Sequence, residues 1–284
     1  MRTRSTILPE IARTGPKGLA VHDFKHIFEF LSTSFAETVW PTRCVGCDLP
    51  GTLLCPECAE KLPYIDPTIS CPACAAPFGS LVCTECFDAG ADDGERSRAP
   101  AFPFSAARAA ISYEGVGKAL VTAYKDGGEL RLDKLLASLL CTAVHATAPH
   151  HPDVPALLRA PAEDWASWAD ALAAIPSRPA AVRKRGFDHL QRIARLAAKW
   201  LELDLITPLH HQQAVLDQRG LDSEQRARNL RNSLAMHDGV GVLGKRILLV
   251  DDVLTTGATT SAAAHALLTG GAAEVRVAVV ARVW

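Results

Sequence analysis

The segment Ile247 to Thr260, ILLVDDVLTTGATT, sets two adjacent carboxylates, Asp251 and Asp252, after four apolar residues and before a loop of threonines and glycine. Carboxylates accept hydrogen bonds from neighbouring hydroxyls, as ribose offers them. The backbone N–H groups and hydroxyls of Thr255, Thr256, Gly257, Ala258 and Thr259, just ahead of a helix expected from about Ser261, suit a phosphate. The chemistry is that of a sugar-phosphate site. The apolar run Ile247 to Val250 is expected to be a central parallel strand covered on both faces, and its carboxyl end is where α/β sheets bind ligands. Neighbouring side chains on extended backbone point to opposite faces, so the strand should end at the pair if both carboxylates are to reach one ligand. The loop is neither a Walker A sequence nor GxGxxG, and a bare helix cap would need one Asp or Thr at most.

A second chemistry is written in the cysteines. Eight of the nine form C-x-x-C pairs: Cys44/Cys47, Cys55/Cys58, Cys71/Cys74 and Cys83/Cys86. A two-residue gap lets both thiolates of a pair face one tetrahedral ion, and two pairs complete a closed four-cysteine site of the structural zinc type. Two zinc ions are implied. The simplest pairing puts Cys44, Cys47, Cys55 and Cys58 on one and Cys71, Cys74, Cys83 and Cys86 on the other; an interleaved cross-brace is the alternative. An iron–sulfur cluster is a competitor, disulfides less so. Cys141, in LLASLLCTAVHA, is expected to be a core thiol.

These groups need a scaffold. The 284 residues, 48% hydrophobic with a formal net charge of −1, allow one sizeable α/β domain plus a small module, and nothing global calls for nucleic acid. The start, MRTRSTILPE, lacks the apolar core of a signal peptide and no apolar run reaches membrane-spanning length, so a cytoplasmic protein without a membrane span is expected. Residues 1–18 read as a flexible tail. Residues 19–42 read as an amphipathic helix closed by Pro41, with Phe24, Ile27, Phe28, Leu31, Phe35 and Val39 at helical spacing. Residues 43–88 form the cysteine module, poor in large apolar residues and so dependent on metal for folding. After a polar connector, residues 104–284 alternate strands and helices, which favours a mostly parallel sheet flanked by helices. The strands are read at Ala106–Tyr113, Ala171–Ile175, Ile247–Val250 and Val275–Val280. Helices are read at Gly117–Tyr124, Leu132–Ala148, Val182–Leu201 and from Ser261 to Leu268, and His150–Asp170 as a surface insertion.

The carboxylate pair and loop resemble the phosphoribosyl pyrophosphate (PRPP) signature of type I phosphoribosyltransferases. That resemblance implies their α/β fold, Asp251 and Asp252 on the ribose 2′ and 3′ hydroxyls, and Thr255 to Thr259 around the 5′-phosphate. With the cysteine module in view, the chain from about Trp40 onward resembles the ComF family, phosphoribosyltransferase-like proteins with an N-terminal double zinc ribbon linked to DNA uptake in competence. Tyr124-Lys125, Lys184-Arg185-Gly186-Phe187-Asp188, and Asp217 to Leu221 with Arg226 and Asn229 carry the likeness further. Many relatives have a proline- and histidine-containing segment after the second strand; here Pro176-Ser177-Arg178-Pro179 stands instead, with Arg178 the candidate for the pyrophosphate.

The resemblance implies Mg²⁺ bound with PRPP, two structural zinc ions, displacement of pyrophosphate at the ribose C1 carbon, and Lys125, Arg178 or Arg183, Lys184 and Arg185 neutralising the leaving group. Residues 178–231 carry eleven Lys/Arg against six Asp/Glu, a net +5, and a basic run opening a helix invites an anion. Gln212 to Asn229 reads as the mobile hood of this fold or as a long surface loop. The family's context adds single-stranded DNA or competence-machinery proteins as partners, in a sensing rather than catalytic role; the acceptor and the oligomeric state are not encoded in these motifs.

Overall fold

The computed structural model describes residues 41–77, 82–88, 102–146, 163–212, 234–237 and 239–284. The tail at 1–18, nearly all of the helix read over 19–42, and Gln218, Arg226 and Asn229 of the hood lie outside the described residues.

Two short helices, α1 (Pro56–Glu60) and α2 (Thr84–Asp88), belong to the cysteine module. Beyond it run β1 (Ala106–Ser112), α3 (Gly115–Lys125), a 3₁₀ turn (Leu130–Leu132), α4 (Asp133–Val144), α5 (Trp165–Trp168), β2 (Ala171–Ala174), α6 (Pro179–Arg185), α7 (His189–Trp200) and β3 (Leu205–Ile206). Then come β4 (Leu209–His211), β5 (Leu234–Met236), β6 (Arg246–Leu254), α8 (Ala258–Thr269) and β7 (Glu274–Arg282). Five strands form a wholly parallel sheet in the order β1-β7-β6-β2-β3, and β4 pairs antiparallel with β5 beside it. This is the mostly parallel α/β fold expected from the sequence.

The chain leaves β2 toward β3 on one side and leaves β6 toward β7 on the other. Right-handed crossovers then place α7 and α8 on opposite faces, and a crevice opens between the carboxyl ends of β2 and β6. Each helix is held by an apolar stripe. On α7, Leu190, Ile193, Ala194 and Ala197 are buried at helical spacing; on α8, Ala262, Ala263, Ala264 and Leu267 are buried, small side chains that bring the helix close to the sheet. Leu248, Leu249, Val250, Val277 and Val279 form the sheet's share of the same core.

Several boundaries differ from the sequence reading. The helix read over Val182–Leu201 is two helices, because Gly186 takes a left-handed conformation (φ 81°) that ends α6, and Asp188 caps α7 by accepting from the Gln191 N–H at 3.1 Å. Arg183, Lys184 and Arg185 therefore close a helix, where cations favour the dipole without any anion, and that argument for an anion falls. Helix α8 begins at Ala258 rather than Ser261. The end of the supposed surface insertion is core: Trp165 and Trp168 are buried, with the guanidinium groups of Arg108 and Arg276 each 4.1 Å from a ring centroid.

The cysteine module is joined to the sheet through the edge of β1. The Ile65 N–H donates to the Ala110 carbonyl (2.9 Å), Ser112 N–H to Pro63 (2.8 Å), and Ala107 N–H to Pro72 (2.8 Å). Leu62, Ile65 and Ala75 enter the main core. The module thus lends its few large apolar side chains to its neighbour.

Candidate functional site

Strand β6 does not end at the carboxylates; it runs on to Leu254, still paired with β7. What ends is the ladder on the other side, where β2 matches β6 only as far as Val250. Beyond that point β2 departs through Ile175, whose N–H makes a last bond to the Val250 carbonyl (3.1 Å), and the crevice opens. Asp251 and Asp252 stand one step past the opening. They still alternate in direction, Asp252 toward α7 and Asp251 toward the opposite face, yet both line the cleft.

Their surroundings differ sharply. Asp252 is 5% exposed and its Oδ2 accepts from Lys125 Nζ (2.7 Å) and His189 Nε2 (2.8 Å). Burial alone would raise its pKa; the hydrogen bonds and charge of these two partners outweigh burial and bring it to about 2, so the carboxylate is ionised. Among the described residues no such cation is in contact with Asp251. Burial first, then the adjacent Asp252 charge, hold it well above the usual carboxylate range, against a 2.9 Å bond from the Asp252 N–H and the charge of Lys125 at longer range. One acid is therefore a fixed anion and its neighbour is short of positive charge, which a ligand hydroxyl or bound cation would relieve.

His189 was not singled out in the sequence, and it organises this corner. Arginine cannot accept a hydrogen bond, so Arg185 Nη1 donates to His189 Nδ1 (3.2 Å), leaving Nε2–H to donate to Asp252. Ser177 Oγ lies 3.4 Å from the same Nδ1 and donates to Asp188 at 2.8 Å. The Tyr124 hydroxyl donates to the His189 carbonyl (2.9 Å). The signal was available: His189 directly follows the family-like run ending in Asp188. Tyr113, His211 and Val283 also line the cleft and were likewise unread as site residues.

The loop takes the expected place. Thr255 and Thr259 line the cleft, while Thr256, Gly257 and Ala258 make the turn between them into α8. Gly257 has φ 77°, and a Cβ there would come 2.5 Å from Phe102, so backbone conformation and space both demand glycine.

The predicted basic residues separate. Arg178 is exposed on the cleft rim at the start of α6; Lys125 faces the cleft but is committed to Asp252. Arg185 joins through His189, whereas Arg183 and Lys184 are exposed and are not among the cleft's walls.

The eight paired cysteines gather into two groups, Cys44, Cys47, Cys55 and Cys58, and Cys71, Cys74, Cys83 and Cys86, each with its sulfurs within 4.8 Å of one another. This is the sequential pairing. A tetrahedral zinc with Zn–S bonds of about 2.3 Å requires S–S edges of about 3.8 Å. Cys47 to Cys55 is 3.7 Å and Cys74 to Cys83 is 3.6 Å. The Cys55 N–H donates to Cys44 Sγ (3.3 Å) and the Cys83 N–H to Cys71 Sγ (3.4 Å), bonds that favour thiolate. Both groups fit zinc. Cys141 packs against the core and burial pushes its thiol up to about 11, as suits an inert side chain.

Residues 182–283 match the phosphoribosyl transferase domain family. The chain is 26% identical to Competence protein F of Haemophilus influenzae over 162 residues, 56% of this chain and 64% of that protein. It is 33% identical to DNA utilization protein YhgH of Escherichia coli K12 over 95 residues, 33% of this chain and 41% of that one. The chain thus spans less than two thirds of the length of either curated relative. A solved structure described as the allosteric regulatory enzyme of purine biosynthesis shares 21% identity over 52% of this chain and 25% of its own, at a TM-score of 0.32, too low to carry an argument. Among the described residues no helix is long and apolar enough to cross a membrane. Residues 182–283 are thus similar to the phosphoribosyl transferase domain family, and part of the chain is similar to the competence and DNA-utilisation proteins, in keeping with the resemblance to the ComF family.

Proposed function

We propose that the chain binds PRPP with Mg²⁺ and displaces pyrophosphate at the ribose C1 carbon. The observation that carries this reading is the carboxylate pair one residue past the last β2 contact, with a threonine loop running from it into the N-terminus of α8. Asp251 and Asp252 take the ribose hydroxyls. Asp252 serves as an ionised acceptor held by Lys125 and His189, while Asp251 meets the ligand from the opposite side of the strand. Thr255 to Thr259 and the α8 amides hold the 5′-phosphate. Arg178, exposed on the rim beside Pro176 and Ser177, faces the leaving pyrophosphate. Bound Mg²⁺ supplies further neutralisation of that group. A carbon that gains positive charge needs positioning above all, and the protein meets this with groups already locked in place.

Calorimetry with PRPP and Mg²⁺ tests the reading: the wild-type chain binds, and Asp252→Asn and Asp251→Asn each weaken binding at least about tenfold, ~1.4 kcal/mol. Unchanged affinity in both variants would remove it. Incubating PRPP with a panel of bases while following pyrophosphate release identifies the acceptor.

A second reading rests on the exposed Arg183 and Lys184, which the cleft does not use. In it the chain senses PRPP or nucleotide without turnover and holds single-stranded DNA along α6. Fluorescence anisotropy at low salt then shows binding of an oligonucleotide that falls about tenfold when both become Ala and weakens steeply with added salt. No binding at low salt dismisses it.

A further inference from the structure

Arg282, at the end of β7, is 6% exposed, and no carboxylate pairs with it among the described residues. Among the described residues its guanidinium is served by carbonyls alone. Nε donates to Cys74 O (2.8 Å), in the second cysteine cluster; Nη1 donates to Thr255 O (2.8 Å), Leu254 O (3.2 Å) and Val283 O. One side chain thus spans from a cysteine knuckle to the first residue of the threonine loop. A second link runs beside it: Phe102, stacked on Phe104 with centroids 4.8 Å apart, packs against the Cys71/Cys74/Cys83 group and fills the space at Gly257.

The two bonds at the loop have a directional effect. In a planar trans peptide the carbonyl and the N–H point in opposite directions. Holding the Leu254 and Thr255 carbonyls on Arg282 turns the N–H groups of Thr255 and Thr256 away from it, and the positive charge polarises both peptide units so that those amides become better donors. A buried cation placed behind two amides prepares them for an anion in front.

We propose that Arg282 is a positioning residue that clamps the phosphate loop to the second cysteine cluster, so that the loop's affinity for a ribose phosphomonoester depends on that cluster being intact. The proposal rests on the sugar-phosphate reading of the cleft. It gives the cysteine module a part in ligand binding although none of the eight ligand-set cysteines lines the cleft.

The test uses the full chain and ribose 5-phosphate, measured by calorimetry on wild type, Arg282→Met and Arg282→Lys, with thermal unfolding as the fold check. Wild type binds, Arg282→Met binds at least tenfold more weakly, and Arg282→Lys falls between, because one ammonium cannot serve the knuckle and the loop together. Coupling is reciprocal. Ribose 5-phosphate therefore slows release of zinc to a chromogenic chelator several-fold in wild type and has no effect in Arg282→Met, a difference that a simple loss of stability would not produce. A folded Arg282→Met with undiminished affinity, or zinc release from ligand-bound wild type as fast as from free protein, overturns the clamp. Should Arg282→Met not fold, Arg282→Lys and the wild-type release rates still decide the matter. Wild type that binds neither ribose 5-phosphate nor PRPP removes the ligand reading itself, an outcome distinct from failure of the clamp.

Discussion

The two cysteine clusters have the same ligand spacing and the same sulfur geometry, yet the fold uses them differently. In the first, Cys44 and Cys58 are buried but Cys47 is exposed and Cys55 half-exposed, and Gly46 lies close to Val116 of α3. In the second, Cys71, Cys74 and Cys83 are all buried, the Pro72 carbonyl accepts from the β1 edge, and the Cys74 carbonyl takes Arg282. The same set of ligand atoms has been placed once at the periphery and once against the threonine loop. Metal ligation by itself therefore says little about what a zinc site does; its contacts beyond the sulfurs decide that.

Single ligand replacements set the two clusters against each other. Cys74→Ser should have the largest effect: a stability loss of about 4 kcal/mol or more in thermal melts, zinc content falling from two to one, and a parallel fall in ribose 5-phosphate affinity. Cys47→Ser, at an exposed position where water can replace the lost sulfur, should cost about 1–2 kcal/mol and leave ligand affinity within about threefold of wild type. Equal losses of affinity in the two variants would erase the distinction. A smaller effect probes the link without touching a sulfur. Gly257→Ala imposes a left-handed backbone on a residue with a Cβ and drives that atom into Phe102, which should cost roughly 2 kcal/mol and weaken ribose 5-phosphate binding while both zinc ions stay bound.

Which residue types gather was easier to read in the sequence than how the fold places them. The four C-x-x-C pairs and the strand, carboxylate pair and threonine loop of ILLVDDVLTTGATT are local patterns, visible because each is contiguous in the chain. Alternating apolar runs were enough for a parallel sheet. The partners of Asp252 were not legible in the same way: Lys125 and His189 lie 127 and 63 positions away, and only the packing of α3 and α7 brings them to one oxygen. Lys125, read as one of several candidates for the pyrophosphate, is paired with Asp252, a contact its sequence position did not announce. The single helix read over Val182–Leu201 failed at Gly186, because a helical stripe on either side hid a left-handed break that a lone glycine is free to make. Arg282 left no trace at all, since its role is to serve carbonyls, which every residue has. Strands of two or three residues such as β3, β4 and β5 owe their pairing to neighbours rather than to their own pattern.

The joint between the cysteine module and β1 also bears on how the protein behaves in crowded solution. A five-stranded open sheet has two raw edges. One is blunted by brevity, since β3 has only two residues. The other, β1, is seven residues long with a single charge, the kind of edge that recruits strands from other chains unless something lies along it. Pro63 to Ile65 and Pro72 lie along it, and their own placement depends on the knuckles on either side. Loss of metal would therefore first show itself as stickiness, with the uncovered edge pairing between molecules before the sheet behind it had lost its shape.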